Sequence, residues 1–368
     1  MAFLASTEHK SKHLGLRRLA REVRVGELVL GGAGRPLIQS MNNTDTRDAQ
    51  ATLRQIEAMA EAGVDITRVA VPDMEAAEAL KIICKNSPVP VVADIHFDYR
   101  LAIASVKNGA AKIRINPGNI GSQERVSEVA DVCRAYGVPI RVGVNSGSLS
   151  KTILAGHGGV TADALVTSAL DTVKILEDVN FEDIVISLKA SSPSLTIACY
   201  RLLADRCEYP LHLGVTEAGT AGAGIIRSAV GIGTLLAEGI GDTLRVSLTA
   251  DPVTEIEAAW NILSSLDIAH RGPTLISCPS CGRTEVDLFP VANEVEQRIK
   301  HLPYNITVAV MGCVVNGPGE AREADVGIAG GKGQYLLFAN GTVVGKVDEE
   351  NAVDSLMALI EERYGKPQ

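Results

Sequence analysis

An α/β fold, an N-terminal (β/α)8 TIM-type barrel followed by a smaller α+β domain, is the class that this 368-residue sequence predicts. Three observations predict it. Short β-like runs alternate with amphipathic helical stretches up to about residue 267, eight times over. Eight such units in roughly 230 residues is the length of a closed barrel. After Asp267 the alternation stops, and a Pro/Gly-punctuated stretch carrying cysteines leads into a different pattern.

The strand-like runs are PLIQSM (36–41), ITRVAV (66–71), PVVADIH (90–96) and AKIRIN (111–116). They continue with PIRVGVN (139–145), DIVISLK (183–189), PLHLGV (210–215) and DTLRVSL (242–248). Between them lie helical stretches such as DAQATLRQIEAMAEAG and QERVSEVADVCRAYG, several of which end at a glycine that can take a left-handed cap. A doubly wound open sheet is the competing architecture, but no glycine-rich dinucleotide turn follows the first strand. The barrel is therefore expected over 1–267, a polar link over 268–276, and an α+β domain over 277–368. In that last part NEVEQRIKHL reads as a helix, ITVAVMG, DVGIAGG and QYLLFANGTVVGKV as strands, and ENAVDSLMALIEERYG as a closing helix.

Composition excludes several partner classes. The chain is 46% hydrophobic and 21% charged, as a globular enzyme is, and holds no apolar run long enough for a membrane span. A net charge of −9 repels nucleic acid and anionic lipid, and 4% aromatic content leaves few rings for base stacking. Any bound anion must then be held by a local cluster of cations. The first 23 residues read as a ragged lead-in without an apolar core and cleavage site, so a cytoplasmic location is expected.

Barrel chemistry sits at the C-terminal ends of the strands, and strand residues i and i+2 share a face. By that parity the third strand offers Asp94 and His96, and the fourth Arg114 and Asn116. The fifth offers Arg141 and Asn145, the sixth Ser187 and Lys189, the eighth Arg245 and Ser247. Arg47, just past the first strand, is placed to join them as a lid contact. Taken singly, each cation reads equally well as a solvated loop charge. Four in matched positions read as an anion site, because like charges in one low-dielectric cup repel unless an anion joins them. The arginine fork suits phosphate oxygens, and a diphosphate accounts for so many cations.

Glu217, in the glycine-rich VTEAGTAGAG, is the candidate general acid/base, with a salt bridge to an arginine as its structural alternative. Asp94 and His96 read either as groups that orient hydroxyls or relay protons, or as a structural hydrogen-bonded pair.

Seven cysteines without a signal peptide make a poor disulfide framework. Cys278 and Cys281 form a CxxC, and Cys313 follows inside MGCVVNGPGE. Three thiolates fit a [4Fe–4S] cluster with one iron left for another ligand, and the glycine-rich turn can bring Glu320 back to it. A structural zinc site made of the same residues stays open as the alternative. The remaining cysteines lie in helical stretches and read as core residues.

The strings QSMNNT, VADIHFDYR, RINPGNIG, RVGVNSGS, LHLGVTEAG, EGIGDTLRVSL, SCPSCGR and MGCVVNGPGE occur in order between about residues 23 and 330. Together they resemble the 4-hydroxy-3-methylbut-2-enyl diphosphate synthase family of the non-mevalonate isoprenoid route. The resemblance implies a [4Fe–4S] cluster on Cys278, Cys281, Cys313 and Glu320. It implies 2-C-methyl-D-erythritol 2,4-cyclodiphosphate as substrate, its diphosphate on Arg47, Arg114, Arg141, Lys189 and Arg245, with Asn145 and Ser247 nearby. Glu217 matches the carboxylate assigned to proton transfer. Flavodoxin or ferredoxin is the implied electron donor, and the shorter bacterial form implies a head-to-tail homodimer. A zinc-stabilised barrel lyase or aldolase, with a Schiff base on Lys189, is the competing function.

Overall fold

The computed structural model of the chain describes residues 16–120, 122–313 and 324–365. The chain divides between Ile268 and Ala269 into two compact units.

The first unit begins with a hairpin that the lead-in did not suggest. Strands β1 (Val23–Val25) and β2 (Leu28–Leu30) pair antiparallel around Gly26, whose φ of 58° favours a residue without a Cβ. Val23, Val25 and Leu30 pack against Leu37, Ile66, Val92 and Val185, which lie at the starts of barrel strands. The hairpin thereby closes the N-terminal end of the barrel with apolar side chains, each worth about 1.5–3 kcal/mol on burial. The chain just before it is also tied down: Arg17 Nη2 lies 2.7 Å from Asp242 Oδ1, and the Arg18 N–H donates to the Gly239 carbonyl at 2.9 Å.

Eight parallel strands follow: β3 (Leu37–Met41), β4 (Ile66–Ala70), β5 (Val91–Asp94), β6 (Lys112–Ile115), β7 (Ile140–Asn145), β8 (Ile184–Lys189), β9 (His212–Leu213) and β10 (Thr243–Leu244). They run in the sheet order β8-β7-β6-β5-β4-β3-β10-β9, and a parallel bridge from Ile186 to Leu211 brings the two ends together. The last two strands are shorter than the six- and seven-residue runs in the sequence. Past Arg245, whose N–H still donates to the Leu213 carbonyl at 2.9 Å, the backbone leaves the ladder, and the Leu248 N–H donates instead to Glu255 Oε1 at 2.9 Å. Asp48, Asp73, Asp98 and Asp251 cap the helices that start at the strand-end loops, each accepting a backbone N–H. Among the described residues no helix is long and apolar enough to cross a membrane.

The second unit is a five-stranded mixed sheet. β11 (Thr274–Ser277), β12 (Thr307–Met311) and β13 (Val326–Gly331) are parallel, and β14 (Gln334–Ala339) and β15 (Thr342–Asp348) extend it antiparallel. Helices Leu288–Ile299 and Ala352–Tyr364 supply Val295, Ile299, Leu356 and Ile360 to a core with Val308, Val310, Val326 and Ile328. The stretch 268–276 read as a link overlaps β11, since Thr274–Ile276 pair in register with Thr307–Ala309.

Candidate active site

The parallel register brings cations together inside the barrel. Asp94 of β5 pairs with Arg114 of β6, which pairs with Arg141 of β7. Further up, Asn145 pairs with Lys189 of β8. Arg114 Nη1 donates to Asp94 Oδ1 at 3.1 Å, and Arg68 Nε of β4 approaches Asp94 Oδ2 at 3.7 Å. Burial raises the Asp94 carboxyl, but Arg68, Arg114 and Arg141 outweigh it and hold the group at about 2. Asp94 is thus a fixed anion among cations, a role that suits orientation better than proton relay.

Arg141 is fully buried, and its Nε, Nη1 and Nη2 have no hydrogen-bond partner among the described residues. Lys189 is half-buried, and burial followed by Arg68, Arg114 and Arg141 lowers its ammonium to about 7. Arg245 is held differently: its Nε and Nη2 each donate to Glu255 at 3.2 Å, while Ser40 Oγ donates to the same carboxylate at 2.8 Å. Ser247 follows it in irregular backbone, half-buried. Gly143, between Arg141 and Asn145 on β7, makes room for this layer, because a Cβ there would lie 2.8 Å from Arg114 Nε. Buried cations in this surplus cost free energy that Asp94 and Glu255 offset in part, and a bound anion would offset further.

Other expected residues lie at the rim. Glu217 is exposed in the turn after β9, at φ 56°, a left-handed conformation that a non-glycine residue adopts at a cost. His96 is exposed two residues beyond Asp94, its ring 6.1 Å from that of Phe97. Arg47 is not gathered with the interior cations. It is exposed after β3, with Nη2 2.8 Å from Asp45 Oδ2 and Nη1 3.5 Å from Asp73 Oδ2.

Sequence reasoning passed over Arg68, Lys112, Gln39, His212 and Glu255. The signal for the first three was parity: Arg68 follows Ile66, Lys112 precedes Arg114, and Gln39 precedes Met41 by two residues each. Looking only at strand ends hid them. His212 is buried with Nδ1 2.7 Å from Thr243 Oγ1, and burial keeps its charged form well below the ordinary range.

In the second unit, Cys278 follows β11 and Cys313 lies two residues past β12, so adjacent parallel strands deliver both to one sheet edge. The Gly312 N–H donates to Cys278 Sγ at 3.2 Å. Cys281 is exposed, its thiol lowered first by a backbone hydrogen bond from Arg283. Among the described residues no three His, Cys, Asp or Glu side chains already stand close enough to grip a metal ion. Glu320 lies outside the described residues. The donor chemistry nonetheless fits an iron–sulfur group: three free thiols at one edge, one already accepting a backbone N–H beside another.

Comparison with known proteins agrees with this layout. Residues 20–260 match the profile described as the GcpE TIM-barrel domain, and 274–362 match the GcpE protein C-terminal domain. A Clostridium perfringens protein named 4-hydroxy-3-methylbut-2-en-1-yl diphosphate synthase (flavodoxin) is 57% identical, across 94% of this chain and 99% of its own. Proteins of the same name from Clostridium acetobutylicum and Geobacter sulfurreducens are 58% and 56% identical, across 93% and 94% of this chain and 98% of each of theirs. With both units matched in order and the relatives aligned nearly end to end, the chain belongs to the GcpE family.

Proposed function

We propose that this enzyme reductively opens 2-C-methyl-D-erythritol 2,4-cyclodiphosphate and dehydrates it to 4-hydroxy-3-methylbut-2-enyl diphosphate, a late step of non-mevalonate isoprenoid synthesis. The observation that carries the reading is the Asp94–Arg114–Arg141 layer, with a wholly buried guanidinium whose donors await an acceptor. Arg114, Arg141, Lys189 and Arg245 bind the diphosphate, and Asn145 and Ser247 orient it. The buried walls exclude water, and the fixed Asp94 anion keeps Arg68 and Arg114 pointed inward. In the reaction a ring C–O bond breaks with the diphosphate oxygen as leaving group. A hydroxyl departs as water with a proton from Glu217, and two electrons enter the carbon skeleton.

Cys278, Cys281, Cys313 and Glu320 would hold a [4Fe–4S] group, which supplies those electrons one at a time from flavodoxin or ferredoxin. Seven free cysteines suit a reducing, cytoplasmic setting.

Anaerobic iron, sulfide and zinc analysis with a visible spectrum, on wild type and Cys313→Ser, tests the redox half. Brown protein with about four irons per chain, lost in the variant, is the expected result. Colourless protein with one zinc after anaerobic reconstitution removes the reductase reading. The lowered Lys189 amine then favours a second reading, a barrel lyase or aldolase forming a Schiff base there, which borohydride trapping with substrate would detect on Lys189.

A further inference from the structure

One residue layer below Arg114 the barrel does not turn apolar. Lys112 shares the inward face of β6 with Arg114, two residues nearer the closed end. Gln39 stands in the same relation to Met41 on β3, and Met41 pairs in register with Arg68 of β4. Lys112 is fully buried, and its Nζ has no hydrogen-bond partner among the described residues. The same holds for both amide atoms of Gln39 and, in the layer above, for the three guanidinium nitrogens of Arg141. Arg68 Nη2 and Nε rest 2.9 Å and 3.2 Å from Met41 Sδ, and a thioether is a weak acceptor for a guanidinium. Arg245 Nη1 also approaches that sulfur, at 3.6 Å.

Leu37, Ile66, Val92 and Val185 pack against the β1–β2 hairpin and close this end of the barrel with apolar side chains. Buried polar groups are nearly always hydrogen-bonded, and an unpaired buried cation costs more than any other. So many unmet donors in two adjoining layers above an apolar base, with a weak sulfur acceptor in their midst, mark a place built to be completed from above. Nearby charge agrees. Burial, then Arg141 and Arg68, push the Lys112 ammonium well below its ordinary value, and a bound anion would favour its charged form.

We infer that Lys112, Gln39 and Arg68 form the floor of the anion site and donate to the oxygens of the most deeply inserted phosphoryl group. This deepens the proposed function and rests on its reading of the barrel as an anion site. The ligand class is a doubly phosphorylated small molecule entering end-on along the barrel axis. Arg114 and Arg141 clasp it from the sides while the floor sets its depth. A purely structural Lys112 would serve only to pack its methylene stem, which methionine does equally well.

The test is calorimetric titration of the anaerobically prepared holoenzyme with inorganic pyrophosphate. Lys112→Met keeps the stem and removes the buried, unpaired amine, so thermal stability without ligand should hold or rise. Pyrophosphate Kd should nevertheless increase about 10- to 100-fold, the effect of one lost charge-assisted hydrogen bond. Arg68→Lys keeps the charge but loses the fork, and its Kd should rise as well. If Lys112→Met does not fold, Arg68→Lys decides the question by the same readout. Wild-type affinity in the folded variants overturns the floor while leaving the anion site standing. Wild-type protein that binds no pyrophosphate overturns the anion site and the floor with it.

Discussion

The barrel and the C-terminal unit prepare their chemistry in opposite ways. In the barrel, Arg114, Arg141 and Asp94 sit in one ladder register, buried, with Gly143 clearing space for the Arg114 head. Packing and the single Asp94 counter-charge hold these groups in place, against the repulsion among the arginines. At the C-terminal edge, Cys278 and Cys313 are delivered by adjacent strands, Cys281 is exposed, and no metal-gripping group is yet assembled among the described residues. A charged pocket can be preorganised by a rigid scaffold, whereas thiols proposed to converge on a metal would gain their final geometry from the metal itself.

Metal removal should break the comparison most visibly. Structural metal sites contribute on the order of 10 kcal/mol to the fold that holds them. Chelation should therefore accelerate hydrogen exchange around Cys278–Cys281 and Gly312–Cys313, read by mass spectrometry, while β5–β8 exchange and pyrophosphate affinity stay as they were. Equal protection with and without metal would mean that the thiol edge is as preorganised as the barrel.

Asp94→Asn reaches the barrel half with the next largest effect. Asp94 lies 3.1 Å from Arg114 and 3.7 Å from Arg68, with all three side chains about 95% buried. Removing one partner of such a buried set costs about 3–5 kcal/mol, because the remaining cations lose their counter-charge. Denaturant unfolding of the barrel should show that loss, and saturating pyrophosphate should restore part of it, about 2.7 kcal/mol at one hundred times Kd. The sign against pH follows from the folded carboxyl at about 2, below its ordinary 3.8. The Asp94 contribution is complete above 3.8 and drains away as acid carries the pH down through about 2. A neutral Asp94→Asn substitution would mean that the arginines are already screened by something else.

Legibility in the sequence divides along the same line. Strand periodicity and face parity fix which residues point inward, so the barrel, Arg114, Arg141, Lys189 and Arg245 could be read directly. Arg68 and Lys112 carry the same parity signal but lie inside their strands, away from the C-terminal ends where barrel chemistry is expected. Glu255 was beyond reach, since its bond to Arg245 depends on how helix Pro252–Ser265 returns over the barrel. The β1–β2 hairpin has strands of only three residues, too short for periodicity to declare itself. β11 escaped for another reason: it is mostly exposed, so burial imposes no apolar pattern on it. Cysteine spacing named a candidate metal-binding edge, yet spacing says nothing of how closely the thiols stand without a metal.

The gentlest probe of the barrel's stored repulsion is pH, acting through Lys189. Its ammonium titrates at about 7 in the folded protein against an ordinary 10.5, from burial and then from Arg68, Arg114 and Arg141. Between those values the unfolded chain binds the extra proton, so this residue makes stability rise with pH from about 7 to 10.5. Anion binding runs the other way. A bound diphosphate favours the charged amine, so affinity should fall as pH climbs past about 7, by at most about tenfold per unit. Pyrophosphate titrates in the same range, and the informative quantity is the difference between wild type and Lys189→Met at each pH. That difference should be largest near neutrality and vanish toward pH 10, where the wild-type amine is already neutral. A constant difference would show that Lys189 keeps its proton throughout, and that the neighbouring arginines are less crowded than their register implies.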